Sequence, residues 1–200
     1  MKNALIIFVR KPVLGKVKTR LAAQIGNERA LEVYIKLLDH TKKISKEIDA
    51  DKFLFGTETP QDACWEGFVQ AQQIGDDLGI RMKNAFNFLF KKKYERVVII
   101  GSDCISLNKE IIENALDGLK ENDAVIGPAE DGGYYLLGIK KLHSEIFLNK
   151  NWSTDSVYPA TLKSFDELNL QYKVLPILSD VDEAKDVPAE WLLSKDKCNG

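Results

Sequence analysis

Two uninterrupted apolar runs constrain this chain most. Ala4–Val9 (ALIIFV) and Arg96–Gly101 (RVVIIG) are too short for buried helices and show no alternation. Runs of that kind are strands covered on both faces, and both faces are covered when helices cross over a parallel sheet. The rest of the sequence supplies those helices. From Gly26 to Ile48 apolar residues recur at helical spacing, including Ala30, Leu31, Tyr34, Leu37 and Leu38. Leu78, Met82, Ala85, Phe86 and Leu89 mark a second helix. Asn108 is placed to cap a third, carrying Ile112, Ala115, Leu116 and Leu119. A fourth is expected over Asp155–Leu168, with Pro159 in its first turn or kinking it, and a fifth from about Glu183. Lys52–Gly56, Ala124–Gly127, Tyr134–Ile139 and Tyr172–Leu178 read as further strands.

The segment between Ala124 and Ile139 is too short to hold a crossover helix, so it adds an antiparallel strand. The expected fold is therefore a three-layer α/β/α sandwich around a Rossmann-like, mixed but mostly parallel sheet, in one domain over residues 1–200. With 44% hydrophobic and 29% charged residues, the chain has ordinary globular composition and is not a disordered segment. The net charge of −2 argues against a general nucleic-acid binder. No apolar run reaches membrane-spanning length, and Ala4–Val9 is too short for a signal-peptide core. Cys64, Cys104 and Cys198 have no paired spacing and read as reduced thiols, so a cytoplasmic location is expected.

In an open α/β sheet the ligand lies beyond the carboxyl ends of the strands. The residues following each apolar run are therefore the candidates. Ala4–Val9 is followed by Arg10, Lys11, Gly15, Lys16, Lys18 and Arg20, with no acidic residue in the first 20. A short cationic loop on an otherwise acidic chain suggests a local anion site. It is not a P-loop, because Arg10 stands where that motif needs glycine and Val17 where it needs Ser or Thr. The strand RVVIIG runs into Ser102-Asp103-Cys104, and the carboxylate of Asp103 suits a hard divalent cation. Asp180 and Asp182 form a D-x-D that could share that ion, although Asp-rich turns before helices are common.

Asp131-Gly132-Gly133-Tyr134 lets backbone approach a ligand or makes a tight turn. Gly79 and Arg81 stand at a helix start that could face a nucleotide, with Asp76 or Asp77 as cap. Trp152, Ser153 and Thr154 could line a sugar or base pocket, although tryptophan is more often core.

Taken in order, FVRKPVLGKVKTRLA, QIGDDLGIRM, GSDC, GPAEDGGYYLLGI, WST and DVD resemble the small single-domain glycosyltransferase-like proteins of the GT-A fold. These nucleotide-diphospho-sugar transferase-like proteins are similar also to 2-phospho-lactate guanylyltransferase and molybdenum-cofactor guanylyltransferase. The resemblance runs from about residue 4 to about residue 190. It implies phosphates held by Arg10, Lys16, Lys18 and Arg20, and a Mg²⁺ or Mn²⁺ ion held by Asp103 with Asp180 and Asp182. Ile105 stands where the family usually has proline, and Ser102-Asp103-Cys104 has one Asp where glycosyltransferases often have D-x-D.

Three functions are open on these grounds. The first is metal-dependent glycosyl transfer from a nucleotide sugar to a small acceptor, with Asp131 orienting or deprotonating the acceptor hydroxyl. The second is nucleotidyl transfer from an NTP to a phosphorylated acceptor. The third is a nucleotide-binding module without turnover. None calls for nucleic acid or membrane, and a homodimer is compatible with all three.

Overall fold

The computed structural model describes residues 2–58 and 65–192. Cys64 and Cys198 lie outside the described residues. Seven strands form one sheet: β1 Asn3–Val9, β2 Asp51–Gly56, β3 Val69–Gln72, β4 Arg96–Ile100, β5 Ala124–Pro128, β6 Tyr134–Ile139 and β7 Tyr172–Val174. The helices are α1 Thr19–Ile25, α2 Asn27–Lys46, α3 Leu78–Lys91, α4 Lys109–Glu121, α5 Val157–Glu167 and α6 Ala189–Leu192.

The strand order is β3-β2-β1-β4-β6-β5-β7. Only β6 runs antiparallel, between β4 and β5, and the other pairings are parallel. Six strands thus end at one edge. The chain moves outward from β1 to β2 and β3, then returns to place β4 on the other side of β1. That reversal opens a crevice between the ends of β1 and β4.

The two long apolar runs are the central strands, as their composition requires. Leu5, Ile7 and Val9 pack with α2 and α4 on one face, beside Tyr34, Leu38, Ile112 and Leu119. Ala4 and Ile6 pack on the other, with Met82, Ala85, Phe86 and Leu89 of α3 and Phe165 of α5. Leu5 and Ile6 are fully buried, which stabilises by about 1.5–3 kcal/mol each. Asp77 and Asn108 cap α3 and α4, their side chains accepting from Ile80 N and Ile111 N. Pro159 falls in the first turn of α5, where its missing N–H costs nothing.

The structure corrects four local expectations. The basic stretch after β1 is not one loop, because Thr19–Ile25 is helical. β3 was not anticipated: it is an edge strand with mostly exposed residues, so it carries no apolar run. The last strand stops at Val174 rather than Leu178, since Pro176 cannot donate to a ladder; Leu178 returns only as a bridge to Ala129. The terminal helix from Glu183 is a 3₁₀ turn, Ala184–Asp186, and then the short α6, with Pro188 separating them. Among the described residues no helix is long and apolar enough to cross a membrane.

Candidate functional site

A cleft of about 690 Å³ opens above the carboxyl ends of the strands. Its centre is the crevice between β1 and β4. Lys18, reached from β1, sits in left-handed conformation with φ 48° at the start of α1. That backbone turn, uncommon for lysine, throws its side chain back into the molecule, where it is 5% exposed. Its Nζ lies 3.1 Å from Asp103 Oδ2, at the end of β4, and 3.1 Å from Asp182 Oδ1. Arg20 approaches the other oxygen of Asp182 at 3.7 Å. The Val181 N–H donates to the Asp103 carbonyl, locking the two acidic loops together.

Burial alone would lower the Lys18 pKa, but Asp103 and Asp182 outweigh it and hold the ammonium above its ordinary range. Asp180 is pushed up to about 7, first by burial and then by the charge of Asp103, with Lys18 pulling the other way. Asp103 Oδ1 is buried without a hydrogen-bond partner.

These observations test the fit of a divalent cation. Among the described residues no three His, Cys, Asp or Glu side chains are arranged to hold one. Asp182 is engaged by Lys18 and Arg20 rather than joined to Asp103 and Asp180. Yet Asp103 offers an orphaned oxygen, and the Asp180 carboxyl is raised first by burial and then by the Asp103 charge, so a cation would satisfy the one and favour the ionised form of the other. Mg²⁺ is commonly held by one or two carboxylates and completed by waters and phosphate oxygens, so Asp103 with Asp180 fits it.

The remaining candidates divide. Arg10, Arg81, Ser102, Asp131, Gly133, Tyr134, Trp152, Ser153 and Thr154 line the cleft. Lys11, Gly15, Lys16, Gly79 and Gly132 do not. Lys11 pairs with Glu58 at 3.1 Å, and Lys16 is exposed on a turn formed with Val13 at Gly15, φ 73°. Gly79 packs against the chain itself: a Cβ there would come within 2.4 Å of Phe147 O and the Trp152 indole. Gly132, φ 85°, would put a Cβ 2.3 Å from Asp155 O. Gly79 therefore seats Trp152, whereas Gly132 packs on Asp155 just beyond Thr154, its O accepting from Tyr158 N. Trp152 meets Tyr134 edge to face, and Tyr134 Oη reaches Met82 Sδ. The Asp131 carboxylate accepts from Gly133 N and is otherwise exposed to the cleft.

Two cleft residues were missed as site residues. Tyr34 belongs by spacing to the buried stripe of α2, yet its hydroxyl accepts from Arg10 N and donates to Arg10 O. Burial pushes that phenol up to about 12, so it stays neutral. A tyrosine in a stripe of Leu, Val and Ile was the available signal. Gln73 crosses the floor of the cleft and donates to Val9 O and Phe55 O. The QIGDDLGIRM motif that it opens marked the segment, but not the part this side chain plays in it.

The fold is that of the nucleotide-diphospho-sugar transferase type. A candidate nucleotide-diphospho-sugar transferase from Desulfovibrio desulfuricans G20 is 35% identical over 92% of this chain and 84% of its own, with TM-score 0.85. The chain belongs to the family described as uncharacterized protein conserved in bacteria (DUF2064), which matches residues 40–154. More distant structures share the fold. The 4-diphosphocytidyl-2C-methyl-D-erythritol synthase of Anaerococcus prevotii DSM 20548 is 12% identical over 92% of each chain, with TM-score 0.58. The inositol-1-phosphate CTP transferase of T. maritima is 12% identical over 96% of this chain and 94% of its own, with TM-score 0.57. No curated protein matches the sequence.

Proposed function

We propose that the chain is a metal-dependent transferase acting on a nucleotide-activated donor, most simply a glycosyltransferase that uses a nucleotide-diphospho-sugar and a small acceptor. The observation that carries this is the convergence of Lys18 and Arg20 with Asp103, Asp180 and Asp182 at the topological switch point. Cations for phosphate oxygens beside carboxylates for a hard cation suit a diphosphate. A Mg²⁺ or Mn²⁺ ion held by Asp103 and Asp180 would neutralise the leaving diphosphate.

The chain's own groups supply the rest. Lys18 and Arg20 exchange Asp182 for phosphate oxygens, and Ser102 and Arg81 stand by as further donors from the cleft wall. The bond from the anomeric carbon to the diphosphate breaks, and the acceptor oxygen bonds to that carbon. Asp131 orients the acceptor hydroxyl and takes its proton. Tyr134 and Trp152 present an aromatic wall to the sugar or acceptor.

One observation favours a second reading, nucleotidyl transfer from an NTP with release of pyrophosphate. The loop after β4 offers one Asp, and its acidic neighbour Asp180 comes from a distant loop, not from a local D-x-D. A thermal-shift panel of NTPs, nucleoside diphosphates and UDP- and GDP-sugars, with and without Mn²⁺, tests the class. Metal-dependent stabilisation by diphospho-sugars, followed by sugar-dependent release of the diphosphate, supports glycosyl transfer. Preference for a triphosphate with pyrophosphate release supports the second reading. No shift with any nucleotide overturns both.

A further inference from the structure

We infer that Tyr34 is a positioning residue of the proposed donor site: its hydroxyl takes the place of a strand neighbour and fixes the end of β1, where the cationic segment leaves the sheet. The inference rests on the reading of the cleft as a site for a nucleotide diphosphate, and adds to it a residue from outside the loops. The β1–β4 ladder ends with Ile7 opposite Ile100, whereas β1 stays paired with β2 as far as Val9 opposite Gly56. β4 then leans to its other neighbour, Gly101 N donating to Tyr135 O of β6. Opening the crevice therefore costs the end of β1 its partner on the β4 side. Val9 O accepts from Gln73 Nε2 on the β2 side, and across a trans peptide the Arg10 N–H points the opposite way. The Arg10 C=O faces the same side as its N–H, as in any extended residue, so both groups face the gap. The Tyr34 hydroxyl fills it, accepting from Arg10 N at 2.9 Å and donating to Arg10 O at 3.0 Å. One hydroxyl thus serves both backbone groups that a strand residue would otherwise serve.

The clamp is built on a rigid base. Tyr34 is 3% exposed, and its ring packs in the core under α2 with Leu5, Ile7 and Val9. Ser102, by a side-chain hydrogen bond, and Asp103, by its charge, also bear on the phenol. The hydroxyl therefore stands between the two strand ends that carry the site. Arg10 lines the cleft and begins the span that ends at Lys18, whose ammonium lies 3.1 Å from Asp103. Fixing the backbone at Arg10 fixes where that span starts relative to Asp103. Without the hydroxyl, the two Arg10 groups turn to water or to the free end of β4, and the cations meet a diphosphate less well placed. A buried hydroxyl that served only the fold would lower stability and leave the phosphate grip as it was.

The test is titration calorimetry on the full chain, below its melting transition, with Mg²⁺ and the 5′-diphosphates of uridine, cytidine, guanosine and adenosine. The monophosphate of the base that binds best is then compared with its diphosphate. Tyr34→Phe keeps the ring and removes the hydroxyl. It is expected to weaken the diphosphate at least about tenfold and the monophosphate less, so that the preference for the second phosphate shrinks. Thr41→Val removes another buried hydroxyl of α2, one bonded to Leu37 O, and is expected to keep wild-type affinity for both. A folded Tyr34→Phe that binds as wild type does, or that weakens both nucleotides equally, overturns the inference. So does a Thr41→Val that weakens the diphosphate as much as Tyr34→Phe. The wild-type chain gives a further check without any variant: its Arg10 amide is expected to exchange slowly with deuterium, and exchange as fast as in an unfolded peptide overturns the inference. All these results leave the transferase reading standing, whereas wild type that binds none of the four diphosphates overturns both.

Discussion

Lys18 Nζ stands 3.1 Å from Asp103 Oδ2 and 3.1 Å from Asp182 Oδ1, and so ties the loop after β4 to the loop after β7. The lysine is 5% exposed, whereas the two carboxylates are 44% and 38% exposed, so only one partner is fully desolvated. Lys18→Met leaves Asp103 without its cation and Asp182 with only the exposed Arg20 at 3.7 Å. A loss of about 1–3 kcal/mol in folding stability is expected, below the range for fully buried pairs. Adding Asp182→Asn should recover part of that loss, and a double-mutant cycle in denaturant measures it. Strict additivity would show that the two side chains do not interact.

The Asp180 carboxyl, raised to about 7, gives stability a definite pH slope. The folded chain holds this proton more tightly than the unfolded one, whose value is the ordinary 3.8. The contribution is therefore fully present below about pH 4 and is lost as pH rises through about 7. Asp180→Asn should flatten the dependence of the denaturation midpoint between these values. Mg²⁺ should stabilise wild type more at pH 8 than at pH 5, since it competes with the proton. Equal slopes in wild type and variant would remove Asp180 from the coupled group.

The Trp152–Asp155 segment packs closely on two glycines, Gly79 at Trp152 and Gly132 at Asp155. Gly79→Ala would drive a methyl into Phe147 O and the Trp152 indole, and Gly132→Ala adds a left-handed φ to a clash with Asp155. Each substitution should cost about 2 kcal/mol or more and shift the emission of Trp152. An unchanged melting temperature for both would show that the segment does not need this close approach.

Cys104 provides a chemical check on the floor of the cleft. Burial, and then the charge of Asp180, push its thiol up to about 12. It should resist alkylation at pH 8 in the native protein and react at an ordinary rate in denaturant, read by peptide mass spectrometry. Rapid native labelling at this position would show a cleft wider and wetter than described.

How much of this was legible in the sequence depended on burial. Ala4–Val9 and Arg96–Gly101 announced the central strands, because strands covered on both faces must be apolar throughout. β3 lies at the sheet edge with exposed side chains, so its sequence resembles a loop. The acidic loops could be placed because each follows a strand, and parallel strands deliver their ends to one edge. What spacing could not supply was direction. Lys16 and Lys18 look equivalent in the chain, but the left-handed turn at Lys18 sends one side chain inward and leaves the other in solvent. Gly79 and Gly132 looked like ligand-facing positions because glycine allows close approach. The surface approaching them is Trp152 and Asp155 of the same chain. Gln73 could be read only as the first residue of QIGDDLGIRM, because its partners Val9 and Phe55 are brought to it only by sheet register.

The grip on a diphosphate through a cation is measured most directly by calorimetric titration of a nucleoside diphosphate into wild type and Asp103→Ala, each with and without Mg²⁺. Wild type should bind at least about tenfold more tightly with the metal, and Asp103→Ala should lose that increment while remaining folded. Equal, Mg²⁺-dependent affinity in the two proteins would contradict a site centred on Asp103.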